Sequence, residues 1–343
     1  MPIARPSSLV PSKASYGERV VRLVQSNIKN DAGPEEEPGV LPLLWHQNYG
    51  ERLAPLEADW LGLAELTYSQ ARPDASAEVK EAAERRWRAL QETVGMRGFR
   101  ARMGQGRNPT GLLVRESTFA VGLRHHHPKV FRTPPTNVQL TLPEVPEVPI
   151  VTAEFHSAFC SPLGRAAEAY ELSALADKVK AQHGTDPERS RAACWLFGDT
   201  NEYPVPVGES VPEIDWTRVT DLVHRRHRAL KQADGSWRSC TMLDDLMLDC
   251  NMHDPARFAA RRLGQSGALA PTAGFAAVGQ GGESRIDRGY MDPWTVQAVL
   301  GVTVLDMTGL SDHHTLVVDL SYRGLVEALR RAFAPLPARD LVA

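Results

Sequence analysis

ADWLGLAEL, residues 58 to 66, decides how the chain is read. It is an apolar run that closes on a carboxylate, the pattern of a buried strand delivering a charged side chain at its end. RVVRLVQSNI (19 to 28) has the same design and runs into the turn-forming DAGPEEEPG. PIVTAEFH (149 to 156), ACWLFGD (193 to 199), VTVLD (302 to 306) and TLVVDL (315 to 320) read as further strands. GLLVR (111 to 115) and TFAVGL (118 to 123), separated only by Glu116 and Ser117, predict a β-hairpin, which argues against a purely parallel sheet.

Helices are expected between the strands. Val79, Ala82, Ala83, Trp87, Leu90 and Val94 recur at helical spacing opposite a charged face. Ala169, Leu172, Ala176 and Val179 mark a second helix, ending near Gly184, and Trp216, Val219, Leu222 and Val223 form one further stripe. TMLD (241 to 244) resembles a capping box, and Asp254 before Pro255 is a good N-cap and first-turn pair. GQGGES (279 to 284) is a loop. No repeat or linker divides the chain, so the pattern predicts one domain of sheets with helices outside.

At 343 residues with 42% hydrophobic and 24% charged residues, the chain has the composition of a globular protein with a sizeable core. The net charge of -3 provides no global field for polyanions, so any nucleic-acid contact must be local. No apolar run approaches the roughly 18 residues of a membrane span, and the opening MPIARPSSLVPSK lacks the apolar stretch of a signal peptide. A soluble cytoplasmic protein with no membrane span is expected, and no protein partner is evident. Cys160, Cys194, Cys240 and Cys250 form no CxxC pair and are too sparse for a disulfide framework.

Several strands end in polar or ionisable residues, where packed sheets can present side chains to a common cleft. These are Asn27, Glu65, His156, and Asp199 with Asn201, joined by Asp312 and His313 of the last loop. Carboxylate, amide and imidazole groups together suit an oxygen-ligated divalent ion such as Mg²⁺ and donors to a phosphate, whereas zinc would call for a Cys/His spacing that is missing.

The chain resembles the endonuclease/exonuclease/phosphatase superfamily, with its deoxyribonuclease I-like fold. The landmarks, in family order, are SNI (26 to 28), ADWLGLAEL, AEFH (153 to 156), FGDTN (197 to 201), SRID (284 to 287) and SDHH (311 to 314). The resemblance implies a four-layer α/β sandwich, two packed mixed or antiparallel sheets with helices outside. It would span 19 to 335, between a loose N-terminal tail (1 to 18) and a C-terminal tail (336 to 343). It makes Glu65 the principal ligand of Mg²⁺ or Mn²⁺, assisted by Asn27 and with Asp312 near the metal or its water. It gives Asp199 the attacking water, Asn201 the scissile phosphate, and His313 a phosphoryl oxygen, with Asp287 as the partner that orients and charges His313. His156 takes a phosphate-side role, and Asn108 or Thr110 is the candidate to orient it. His314 reads as a solvent-facing neighbour of His313.

Two departures stand out from the family pattern. Thr200 replaces an aromatic or aliphatic residue, and Lys29 stands where some family nucleases carry an acid, so that it would meet a phosphate instead. Arg97, Arg100, Arg102 and Arg107 concentrate positive charge that would follow a nucleic-acid backbone, or else form a solvated face. His125, His126 and His127 alternate in direction and read as a strand edge, not a metal site. The resulting expectation is a metal-dependent nuclease or phosphodiesterase acting on a phosphate ester, possibly DNA or RNA. The alternatives are a small-molecule or lipid-headgroup phosphatase and a catalytically silent binding module.

Overall fold

The computed structural model describes residues 4–127, 129–180, 192–203, 214–275 and 278–332. The expected tail at 336–343 and the helix end near Gly184 lie outside them.

Two mixed sheets face each other. The first has the strand order β12-β13-β1-β2-β4-β3. Its members are β1 (Val20–Asn27), β2 (Trp60–Ala64), β3 (Arg97–Arg100), β4 (Gly111–Val114), β12 (Val299–Leu305) and β13 (Thr315–Ser321). The second has the order β11-β8-β7-β6-β5. It comprises β5 (Ala120–His125), β6 (Thr136–Leu142), β7 (Val145–His156), β8 (Ala193–Asp199) and β11 (Asp287–Met291). A short ribbon pairs β9 (Ala229–Lys231) with β10 (Trp237–Ser239).

The seven helices are α1 (Leu43–Trp45), α2 (Ala77–Val94), α3 (Pro162–Lys180), α4 (Leu222–Arg228), α5 (Met242–Asp249), α6 (Pro255–Arg262) and α7 (Tyr322–Ala332) among the described residues. α2 lays Trp87, Leu90 and Val94 on the outer face of the first sheet against Leu61, Leu63 and Leu113. α3 and α5 cover the second sheet, packing Leu172, Ala176, Leu243 and Met247 on Ala153, Phe155 and Leu196. Between the sheets the Trp60 ring lies 5.2 Å from Phe197, and its indole N–H donates to Thr152 Oγ1 at 2.9 Å. This is the expected four-layer α/β sandwich. No helix among the described residues is long and apolar enough to cross a membrane.

Four local expectations fail for physical reasons. The strands β4 and β5 do not form a hairpin, because both edges of β4 are already taken, by β2 and by β3. The chain instead turns through Arg115–Thr118 into the facing sheet. Asp59 anchors that crossing, its Oδ1 accepting from Thr118 Oγ1 at 2.7 Å, and Phe119 is buried between the sheets. The described part of the N-terminal segment is pinned rather than loose. The Ser7 N–H donates to the Val304 carbonyl at 2.7 Å, Lys13 pairs with Asp59 at 2.6 Å, and the Tyr16 hydroxyl donates to Asp319 at 3.1 Å. The stripe at 216 to 223 is split: Trp216 and Val219 are buried ahead of α4, whereas Leu222 and Val223 open the helix facing outward. In TMLD, α5 does begin at Met242, but the Thr241 hydroxyl donates to Asp245 at 2.6 Å and caps no backbone N–H.

Each sheet contains one parallel pair, and this sets the position of the site. Asn27 at the end of β1 stands beside Ala64, just before Glu65. His156 at the end of β7 stands beside Asp199 at the end of β8, and antiparallel β11 begins opposite it with Asp287. Parallel neighbours finish side by side, so their carboxyl ends bring polar residues to one edge of the sandwich.

Candidate active site

Asp199 lies at the centre of that edge, 2% exposed. Its Oδ1 accepts from the Asn201 N–H at 2.7 Å and its Oδ2 from Asn27 Nδ2 at 3.1 Å. His156 Nε2 and His313 Nε2 stand 3.6 Å and 4.0 Å from the same Oδ2. His313 Nδ1 meets Asp287 Oδ2 at 2.7 Å.

On the other side of Asn27, its Nδ2 is 3.4 Å from Glu65 Oε1, and Glu65 Oε2 accepts from the Asn30 N–H at 2.9 Å. That N–H is presented by a run of left-handed residues, Asn30, Asp31 and Ala32, at φ 46°, 55° and 58°. Buried Asp31 braces the run through Arg86 Nε at 3.1 Å and the Tyr49 hydroxyl at 2.8 Å. Glu65 itself has φ 63° and Asn201 φ 50°. Left-handed backbone at two chemistry-bearing residues is strain held by its surroundings, a pattern that clusters at functional sites.

Ser311 joins the last loop to β1. Its hydroxyl donates to the Asn27 carbonyl at 2.8 Å and accepts from the Lys29 and His313 N–H groups at 3.3 Å and 3.2 Å. Lys29 reaches Asp312 at 3.4 Å, and both side chains are partly exposed at the rim.

The electrostatics are dominated by carboxylates. Burial opposes the His313 imidazolium, but Asp287 outweighs it, with help from Asp199 and Asp312, and the pKa is raised to about 10. Burial likewise pushes the Asp287 carboxyl up, against the pull of His313. Atoms of Asp199, Asp287 and His313 all lie within 4.8 Å of one another, close enough to hold a cation. A protonated imidazole has no lone pair to give, however, and the donors better suited to a divalent ion are Glu65 and Asn27. Asn27 Oδ1 is buried with no hydrogen-bond partner among the described residues, an oxygen left for a ligand beside an anionic carboxylate.

Other expected residues are engaged differently. Asn108 accepts from Thr67 at 3.2 Å, and Thr110 bonds Thr136 and Pro134, so neither bonds to His156. His314 is buried rather than solvent-facing. Its Nδ1 accepts from the Met307 N–H at 3.0 Å and its ring stacks on Phe275 with centroids 4.1 Å apart. Arg97 pairs with Glu116 at 2.8 Å, and Arg100 pairs with Glu84 at 2.6 Å beneath the Trp87 ring. Arg102 and Arg107 are exposed on the following loop.

Three residues near the site carried no signal in the sequence. Arg228, buried, donates to Asn201 Oδ1 at 2.5 Å. Gln25 donates to Asp287 Oδ1 at 3.3 Å. Glu154 is fully buried, and burial first, then the nearby Asp287 and Asp199, push its carboxyl well above the usual range. Room for it comes from Gly62, where an added Cβ would overlap Glu154 Oε2 and the Trp60 ring. Gly62→Ala is therefore expected to cost about 1–3 kcal/mol of stability by overpacking, read from denaturant unfolding. A variant as stable as the parent would show that the two side chains have room to move.

Sheet order and helical layers define the deoxyribonuclease I-like fold. Among solved structures the chain is similar to the 3'-5' exonuclease NExo from Neisseria meningitidis, at 16% identity over 88% of this chain and 100% of that one, with a TM-score of 0.53. It is also similar to an AP endonuclease from Archaeoglobus fulgidus, at 13% identity over 87% and 98% of the two chains, with a TM-score of 0.51. D. rerio TDP2 complexed with single strand DNA product matches at 15% identity over 88% and 98%, with a TM-score of 0.50. No family model and no curated protein matches the sequence.

Proposed function

We propose that the protein is a divalent-metal-dependent phosphoesterase of the nuclease or phosphodiesterase type. The observation that carries this reading is the setting of Asp199. A buried carboxylate is held from two sides by Asn27 and Asn201 while two imidazoles stand within 4.0 Å of its Oδ2. Asp199 orients a water for in-line attack and accepts its proton. The His313 imidazolium, kept charged by Asp287, donates to a phosphoryl oxygen as negative charge builds there. Asn201 holds the scissile phosphate, and Arg228 fixes that amide. His156 stands on the phosphate side. Glu65 and Asn27 would hold Mg²⁺ or Mn²⁺, with Asp312 at the rim. When bound, the ion supplies charge to the phosphoryl group and the leaving oxygen.

A nucleic-acid substrate is favoured by the similarity to NExo, an exonuclease, to the AP endonuclease and to TDP2 complexed with single strand DNA product. The ion pairs of Arg97 and Arg100 favour a second reading, a small-molecule phosphatase that needs no contact from that strand. A panel of DNA, RNA and phosphomonoesters assayed with Mg²⁺ and Mn²⁺ separates the two. Hydrolysis is expected to vanish in excess chelator, and Glu65→Gln is expected to need more metal for half-maximal rate. Full turnover in chelator would overturn the metal assignment.

A further inference from the structure

Beyond His156 the chain leaves β7 through Ser157 and Ala158 to Phe159, a residue 51% exposed. A single exposed phenylalanine is ordinary, but this one is built into the frame of the site. The buried guanidinium of Arg228 donates to the Phe159 carbonyl with one nitrogen and to Asn201 Oδ1, at 2.5 Å, with another. One planar group thus ties the backbone at Phe159 to the amide assigned to the scissile phosphate.

The Arg132 guanidinium lies 5.5 Å from the Phe159 ring centroid, on the ring face. Glu168 ties the two segments together, accepting from the Arg132 N–H at 2.8 Å and the Ala158 N–H at 2.7 Å. The loop at 101–110 closes the far wall, with the Gly106 N–H donating to the Arg132 carbonyl at 2.8 Å. Between these segments opens a cavity of about 420 Å³, lined among others by Gln105, Lys129, Arg132 and Ser161. That volume is within the range of about 300–1,000 Å³ usual for small ligands.

The chemistry of the cavity is one-sided. Lys129 and Arg132 supply positive charge, and the one carboxylate in its lining, Glu168, has both oxygens occupied by backbone N–H groups. Arg102 and Arg107 extend the charge along the adjoining loop. Cations favour an anion, and the Phe159 ring, which stands beside the cavity and not in its lining, favours with the Arg132 guanidinium a flat unsaturated group. A nucleotide offers both, but in a duplex its base faces are covered by neighbouring bases, so only an unpaired base is free to lie on an aromatic side chain.

We infer that the Phe159–Arg132 shelf receives the base of a nucleotide flanking the scissile phosphate, which makes single-stranded or unpaired nucleic acid the substrate class. This rests on the phosphodiesterase reading of the neighbouring site, and the test separates the two. The full chain in excess chelator is titrated with a single-stranded oligonucleotide carrying 2-aminopurine, and with a blunt duplex of the same sequence. Single-strand binding with quenched fluorescence is expected. Phe159→Ala should weaken single-strand binding on the order of 5- to 100-fold, the effect of losing one stacked base. It should leave duplex binding within about twofold, and Phe159→Trp should restore both affinity and quenching. Arg132→Gln is a second variant, expected to weaken single-strand binding and flatten its salt dependence.

Since Phe159 is exposed, its replacement should leave the melting temperature in place, which is checked alongside. An active nuclease whose single-strand affinity is unchanged by Phe159→Ala would overturn the shelf and leave the catalytic reading standing. Equal losses for duplex and single strand would overturn it as well. Retained, Phe159-dependent binding in a protein that hydrolyses nothing would support the shelf while removing the catalytic reading.

Discussion

Asp199→Asn is expected to lower kcat by about 10²- to 10⁴-fold with little change in KM, the usual range for loss of a general base. The substitution keeps the shape of the side chain and one oxygen for the Asn201 N–H, now received by Asp199 Oδ1 at 2.7 Å. The new amide nitrogen faces Asn27 Nδ2, now 3.1 Å from Oδ2. Two donors would then oppose each other, and turning the Asn27 amide relieves this while drawing its Oδ1 away from the ion it is assigned to, so the kinetics are read at saturating metal. The fold should therefore survive while the proton acceptor is lost. Steady-state kinetics on a cleaved oligonucleotide, with thermal melting as a control, decide the matter. Turnover within a few-fold of the parent would exclude Asp199 as the base.

The second large effect concerns Asp287 and His313, joined at 2.7 Å. Removing the imidazole takes away a donor to the developing oxyanion, worth about 10²- to 10³-fold in kcat. Asp287→Ala is expected to cost nearly as much, because the carboxylate acts only through the ring, and the double variant should be little worse than either single one. A double-variant loss equal to the product of the single losses would mean that the two act independently.

The same pair predicts the response to pH. The folded pKa of His313, about 10, lies above its ordinary value of 6.5, so the pairing contributes its full stability below about 6.5 and loses it as pH rises through about 10. Activity that needs the imidazolium should keep its alkaline limb near pH 10 in the parent. In Asp287→Asn, burial acts on His313 with less opposition, and the limb should shift to lower pH. Carbon-detected titration of the His313 ring reads the shift without turnover. An unmoved titration in Asp287→Asn would rule out Asp287 as the group that charges the ring.

Strand ends were the most legible feature of the sequence. Asn27, Glu65, His156 and Asp199 sit at the ends of apolar runs, a local signal, whereas Asp287 opens the polar DRGYM of β11 and is reached only through the resemblance of SRID. Partnership between strands was not. GLLVR and TFAVGL look like two arms of a hairpin because nothing near them reveals that β2 and β3 already flank the first. His314 looked like a spectator because the Met307 N–H and Phe275 that bury it come from other turns of the chain. Arg228, Gln25 and Glu154 were invisible for the same reason. A buried Arg, Gln or Glu takes its meaning from contacts tens to hundreds of residues away, and no periodicity encodes them.

The pairing of β1 with β13 has a consequence for how the protein is made. Val20 lies opposite Ser321 and Gln25 opposite Leu316, so the strand that presents Asn27 waits until Thr315–Ser321 has been made before its antiparallel neighbour exists. The loop that brings Asp312 and His313 precedes β13 directly. During synthesis from the N-terminus, the second sheet can pair β5 through β8 while the first still lacks one side of β1. A ribosome-bound chain would thus carry Glu65, His156 and Asp199 before the loop that brings Asp312 and His313 beside them has been made.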